Sequence, residues 1–215
     1  YRGLVAHTVM TLEEYIDRHI SPEPQELRQI HRRTQLGLVN PRMCSGHIQG
    51  RMLKMLTQMI SPMRVLELGT FTGYSALCMA EGMPEGAELH TVELDDEYAD
   101  DIRSYFESAP CGGKITLHIG DALELTRQLP GPWDMVFIDA NKRQYSEYYK
   151  AVLPLVPSGG YIIADNTLWS GKVTEDCHDG QTDAIRRFND LVAADARVEK
   201  VILPLRDGMT IIRKL

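Results

Sequence analysis

After Pro62 the chain changes rhythm, and that rhythm limits the fold more than any other feature of the sequence. Short apolar runs at 64–68, 87–93, 115–119, 134–138 and 161–164 are separated by stretches with helical spacing. These are 74–81, a segment carrying Ile102 and Phe106 behind an acidic first turn (Asp95-Asp96-Glu97), 121–129, and a segment through Tyr145, Tyr148 and Leu153. Strands that alternate with helices predict a doubly wound α/β domain, a parallel sheet covered on both faces. The end departs from the alternation. A helix through Ile185, Phe188 and Leu191 leads to a run at 198–203, and Arg206-Asp207-Gly208 turns into another at 209–212. Asp-Gly between two apolar strands predicts a hairpin, an unusual ending for a dinucleotide-binding sheet.

The region ahead of Pro62 reads as helical, so the chain divides into a helical extension at 1–60 and an α/β core at 61–215 within a single domain. Thr11 can cap a short helix containing Leu12, Tyr15 and Ile16. Ser21-Pro22-Glu23-Pro24 interrupts, a second helix runs through Leu27, Ile30 and Thr34, and Asn40-Pro41 ends it. A third helix carries Ile48, Met52, Met55, Leu56 and Met59 at amphipathic spacing, which predicts that this methionine-rich face packs into the core.

At 215 residues, with 43% hydrophobic and 25% charged residues, the chain suits one soluble α/β domain. A net charge of −7 argues against default attraction to nucleic acid or anionic lipid. No apolar run approaches the roughly 18 residues of a membrane span, and the N-terminal twenty residues lack the apolar core of a secretory signal. Cys44, Cys78, Cys111 and Cys177 are scattered, which fits reduced thiols in a cytoplasmic protein. Cys177-His178 reads as a loop pair rather than as a metal or nucleophile site.

Ligands of open α/β sheets sit beyond the carboxyl ends of the strands, and four such ends carry polar residues. The first is Glu67-Leu68-Gly69-Thr70-Phe71-Thr72-Gly73-Tyr74-Ser75. Its glycines permit a tight turn and a close ligand, but the spacing is not G-x-G-x-x-G. The carboxylate of Glu67 would oppose a pyrophosphate and suit a cationic α-amino group. Glu93 ends the second strand, where an acid can hold both hydroxyls of a ribose or simply be solvated. Gly120-Asp121-Ala122 follows the third, and Asp121 could accept from an adenine amino group. Asp139 closes the fourth strand, and Asp165-Asn166 the fifth. Two carboxylates and an amide oxygen side by side suit a hard divalent ion such as Mg²⁺, Mn²⁺ or Ca²⁺, although Asp-Asn also serves to turn a chain. Lys142 reaches the same mouth. Neighbouring positive charge, from a metal and a sulfonium, favours the neutral amine of a lysine, the form that acts as a general base.

Together these segments resemble the metal-dependent catechol and caffeoyl-CoA type O-methyltransferases, particularly bacterial members. The resemblance spans roughly 43–215 and rests on Glu67-Leu68-Gly69-Thr70-Phe71-Thr72-Gly73-Tyr74-Ser75-Ala76, Gly120-Asp121-Ala122, Phe137-Ile138-Asp139-Ala140-Asn141-Lys142, and Asp165-Asn166-Thr167-Leu168-Trp169-Ser170-Gly171-Lys172. It implies a class I, Rossmann-like methyltransferase sheet of seven strands with the terminal antiparallel hairpin. It implies S-adenosylmethionine contacts by Glu67, Gly69, Thr70, Ser75, Glu93, Asp121, Ala122 and Asp139, and metal ligation by Asp139, Asp165 and Asn166. Lys142 becomes the catalytic base, the acceptor a small hydroxylated aromatic, and the assembly a homodimer. Asn141 departs from the pattern, since many relatives carry an acid there.

Two other readings compete. A methyltransferase acting on a hydroxylated transfer-RNA base would need a basic surface, which Arg28, Arg32, Arg33, Arg51 and Lys54 could supply. A nucleotide-binding dehydrogenase would use a similar sheet, but the missing G-x-G-x-x-G and the acidic Glu67 oppose it.

Overall fold

Leu66 and Leu68 on strand β1 (Arg64–Leu68) pack into one apolar cluster and Val65 into another, and all three are fully buried. A strand without a solvated face needs helices on both sides. The computed structural model, which describes residues 10–37 and 44–215, supplies them. Its order is α1 (Leu12–His19), α2 (Gln25–Gly37), α3 (Gly46–Ile60), β1, α4 (Tyr74–Gly82), β2 (Glu88–Glu93), α5 (Ala99–Ser108), β3 (Ile115–Ile119), α6 (Ala122–Gln128), β4 (Met135–Ile138), α7 (Tyr145–Val152), β5 (Tyr161–Asp165), α8 (Gly180–Ala194), β6 (Val198–Leu203) and β7 (Met209–Lys214).

Among the described residues the strands form one sheet in the order β3-β2-β1-β4-β5-β7-β6, parallel through β5 and antiparallel at β7 and β6. The order reverses between β1 and β4, so the crevice of the fold opens where their carboxyl ends part. The alternation along β4 shows how the layers are filled. Met135 and Phe137 join the cluster beneath α2, α3, α4 and α5, while Val136 and Ile138 join that beneath α6, α7 and α8. Leu27, Ile30 and Leu53 enter the first cluster, so α2 and α3 are built into the same core as the sheet.

The local signals act as the residues suggest. Thr11 closes a reciprocal capping box with Glu14 ahead of α1. The Asp121 side chain caps α6, and Asp179 caps α8. Asp95-Asp96-Glu97 lies a turn earlier than expected, in a bend ahead of α5, whose own first turn carries Asp100 and Asp101. The terminal hairpin is present, but its connection spans five residues, 204–208, rather than a two-residue Asp-Gly turn. The Asn40-Pro41 stop lies outside the described residues.

One expectation holds only in part. Helix α3 forms as read, and Met52 and Leu56 of the expected face pack against the core, but Met55 and Met59 are 57% and 78% exposed, while Gln49, Gly50, Arg51, Leu53 and Thr57 are buried. The reason is close approach to α4. A Cβ on Gly50 would sit 2.7 Å from Cys78 Sγ and 2.9 Å from the Tyr74 ring, so the helix turns Gly50 inward and carries Met55 and Met59 out to solvent.

Candidate active site

Gly69, the residue after β1, has φ +100, and a Cβ there would collide with the carbonyl oxygen of Asp139. Only glycine lets the end of β1 lie against the end of β4 in this way. From that seam the loop turns back over β2. The N–H groups of Gly69 and Thr70 both donate to the Val92 carbonyl, at 3.0 and 3.2 Å, and the Phe71 N–H donates to Glu93 Oε2 at 2.7 Å. Glu93 therefore holds the loop with one oxygen, while its other accepts from the Asp95 N–H at 3.1 Å.

Beneath the loop lies a buried carboxyl. Glu67 is 0% exposed and hydrogen-bonded to the Ser75 and Thr91 hydroxyls, both at 2.5 Å, and Thr70 joins through Thr91 at 2.6 Å. Burial pushes the Glu67 carboxyl up to about 8, with the charges of Asp139 and Glu93 adding to the shift and the two hydroxyls opposing it.

Above the seam a cleft of about 640 Å³ opens. Gly69, Glu93, Asp121, Ala122, Asp139, Lys142, Asp165 and Asn166 all line it, so the structure brings these sequence-predicted residues together. Glu67, Thr70 and Ser75 do not line it, and form instead the buried support of its floor. Asp121 both lines the cleft and caps α6. Its Oδ1 accepts from the Leu123 and Glu124 N–H groups at 2.9 and 3.0 Å, tying the cleft wall to the start of α6.

The charged centre sits where β4 and β5 end. Lys142 Nζ donates to Asp139 Oδ1 at 2.6 Å and to the Tyr145 hydroxyl at 2.7 Å. That hydroxyl donates to the Asp165 backbone carbonyl at 2.9 Å, and burial keeps it in the phenol form. Asp165 is 3% exposed, and burial, then the charge of Asp139, pushes its carboxyl upward against the hydrogen bonds it receives. Its Oδ1 accepts from the Asn166 N–H at 2.7 Å and its Oδ2 from Gln49 Nε2 at 2.5 Å.

Tyr145, Gln49 and Arg206 are the site-building residues that the sequence reading missed. Tyr145 shows in the sequence only as an apolar position of its helix. Gln49 lies off the methionine-rich face expected to pack into the core, and the glycine beside it is the available signal. Arg206 was read only as part of a turn, yet its side chain reaches Gln49 and the carbonyls of Cys44 and Ser45.

The walls are conformationally strained. Phe71, Asn166, Trp169, Ser170 and Arg206 all line the cleft and all have φ between +48 and +58. Such backbone costs on the order of 1–3 kcal/mol per residue and persists where surrounding contacts hold it. Asp207 Oδ1 provides one such hold, accepting from the Ser170 N–H at 2.5 Å. A second cleft of about 610 Å³ shares Asn166, Arg206 and Asp207 with the first and runs towards Glu13, Asp17 and His47 on α1 and α3.

Among the described residues, no group of three or more His, Cys, Asp and Glu side chains is arranged to hold a metal. The candidate donors are two carboxylates and an amide, whose all-oxygen chemistry suits a hard cation that keeps several waters. The mutual repulsion of Asp139 and Asp165 is the kind that such a cation relieves. The proposed basic surface is partly consumed. Arg51 is buried and bidentate on Glu81, and Lys54 donates to the same carboxylate. Among the described residues no helix is long and apolar enough to cross a membrane.

The model of a family described as O-methyltransferase matches residues 17–215. The chain is 35% identical over 173 residues to a catechol O-methyltransferase of Niastella koreensis, covering 76% of this chain and 78% of that protein. It is 31% identical to a caffeoyl-CoA O-methyltransferase of Eucalyptus globulus, covering 98% and 93% of the two chains. An O-methyltransferase of Bacillus cereus solved in complex with SAH superposes with a TM-score of 0.86 at 28% identity, over 94% of this chain and 96% of that one. The O-methyltransferase of Streptomyces achromogenes involved in tomaymycin synthesis, solved with SAM, gives 0.85 at 28% identity, over 93% and 94%.

Proposed function

Because the chain belongs to the O-methyltransferase family and is a S-adenosylmethionine-dependent enzyme of the catechol/caffeoyl-CoA type, we propose that its acceptor is a small catechol-like aromatic and that a divalent cation assists the transfer. The observation that carries this reading is the convergence of Asp139, Lys142, Asp165 and Asn166 on one cleft at the neighbouring ends of β4 and β5.

In this reading Glu93 holds the ribose of the cofactor and Asp121 its adenine amino group, while Gly69 lets the ligand approach the backbone. Asp139, Asp165 and Asn166 hold the cation. Bound there, it would supply Lewis-acid polarisation, lowering the pKa of an acceptor hydroxyl. The acceptor enters from the second cleft, between α1, α3 and the β6–β7 turn, and passes the shared residues Asn166, Arg206 and Asp207 to meet Lys142 in the first. Asp139 and Tyr145 fix Lys142 Nζ in place, and its amine takes the proton of the hydroxyl that is methylated. Much of the rate then comes from alignment of two bound reactants.

The test is mass spectrometry of caffeate incubated with the protein and S-adenosylmethionine, with magnesium or with a chelator. The expected outcome is a gain of one methyl group that the chelator abolishes. Methylation that survives chelation would remove the cation from the reading. A protein that binds the cofactor but leaves every catechol untouched would remove the acceptor class.

A further inference from the structure

Gln49 is a polar side chain inside the core-facing side of α3, 1% exposed, with both ends of its amide engaged. Its Nε2 donates to Asp165 Oδ2 at 2.5 Å, and its Oε1 accepts from Arg206 Nη1 at 3.0 Å. Arg206 Nη1 also donates to the carbonyls of Cys44, at 3.1 Å, and Ser45, where α3 begins. The Asn166 N–H takes the other oxygen of Asp165. The carboxylate is thus gripped on both oxygens by neutral donors.

We propose that Gln49 is a positioning residue, a neutral amide relay that aims the Asp165 carboxylate at a divalent cation and couples that aim to α3 and the β6–β7 turn. The proposal rests on the reading of Asp139, Asp165 and Asn166 as cation ligands.

The residue type follows from the requirement. A lysine or arginine at 49 would hold Asp165 by charge and cancel the negative charge that attracts a cation. A glutamate would have no proton to give when ionised. An apolar side chain would leave a buried carboxylate oxygen without its donor. The amide donates at one end and accepts at the other, so Arg206 orients it without its own charge touching Asp165. Outer-shell partners of metal-binding carboxylates typically change affinity by about 10–100-fold when removed.

The experiment is titration with Mn²⁺, followed by electron paramagnetic resonance, of the wild-type protein, Gln49→Met and Asp165→Asn. SAH affinity and Tm are measured alongside. Gln49→Met roughly conserves volume and is expected to weaken Mn²⁺ binding about tenfold or more, with SAH affinity unchanged. A purely structural role would lower Tm and leave Mn²⁺ affinity where it was. Unchanged affinity in Gln49→Met, with binding still lost in Asp165→Asn, overturns the role of Gln49 and leaves the cation site standing. A wild-type protein that binds no Mn²⁺ overturns both. Should Gln49→Met not fold, Gln49→Asn, polar but one methylene shorter, makes the same comparison: weakened Mn²⁺ binding supports the relay and unchanged binding overturns it.

Discussion

Lys142 Nζ and the Tyr145 hydroxyl lie 2.7 Å apart, and the same nitrogen contacts Asp139 at 2.6 Å. Because Tyr145 is fully buried and anchored to the Asp165 backbone carbonyl, the lysine is braced by the end of β5 although it belongs to the loop after β4.

Replacing Lys142 by alanine is expected to lower kcat about 100-fold or more, the usual share of a positioned general base, with SAH affinity intact. Tyr145→Phe keeps the amine but removes one of its two fixed partners, so kcat should fall by up to about 100-fold through misplacement. Single-turnover rates with calorimetric SAH binding separate these effects. Undiminished turnover in Lys142→Ala would take the lysine out of the mechanism.

Asp165→Asn replaces a carboxylate with a neutral amide of the same shape. Activation by added magnesium is expected to disappear, while the protein still folds and binds SAH. Initial rates across a magnesium series check this, and full activation of the variant would refute the assignment of Asp165 as a ligand.

Glu67 makes stability depend on pH. Its carboxyl ionises at 4.5 in the ordinary case but at about 8 when buried in the native protein. The folded state keeps a proton that the unfolded state has released. The contribution is complete below about 4.5 and is lost as pH rises through about 8. Urea midpoints measured across that window should fall for the wild-type protein and fall less steeply for Glu67→Gln. Parallel slopes would show that Glu67 is not the group responsible.

The two faces of α3 should respond in opposite ways to substitution. Leu53→Ala opens the core and is expected to cost about 2–5 kcal/mol. Met59→Ser, at a position 78% exposed, should change stability by less than about 0.5 kcal/mol. Denaturant unfolding of both variants checks this burial of α3 directly.

The exposure of Met55 and Met59 shows where sequence reasoning stops. The apolar runs that became β1 to β5 were legible because a strand buried on both faces must be apolar throughout. Glu93, Asp121, Asp139 and Asp165 were legible because a parallel sheet brings its carboxyl ends to one edge, so their position along the chain already placed them. The burial of Glu67 was not legible, because nothing in the spacing tells a strand-end acid that opens to the cleft from one held beneath its floor. Gln49 carried no signal of its own. Its partner lies 116 residues away, and a helix with two plausible faces offers no local rule for choosing between them. Only the glycine beside it hinted at contact.

The seam at Gly69 has a further consequence for how such a protein can diversify. With no room between that residue and the Asp139 carbonyl, the cofactor loop and the lysine-bearing loop are welded into a single foundation that tolerates little alteration. The opposite wall, Trp169–Thr174, packs Trp169 and Val173 against the core and is tied by polar contacts such as Asp207 to Ser170 rather than by a seam of backbone on backbone. Under the proposed acceptor route, a change of acceptor preference is therefore expected to come from substitutions at 169–174 and on α1, with Asp139 and Lys142 left where they stand.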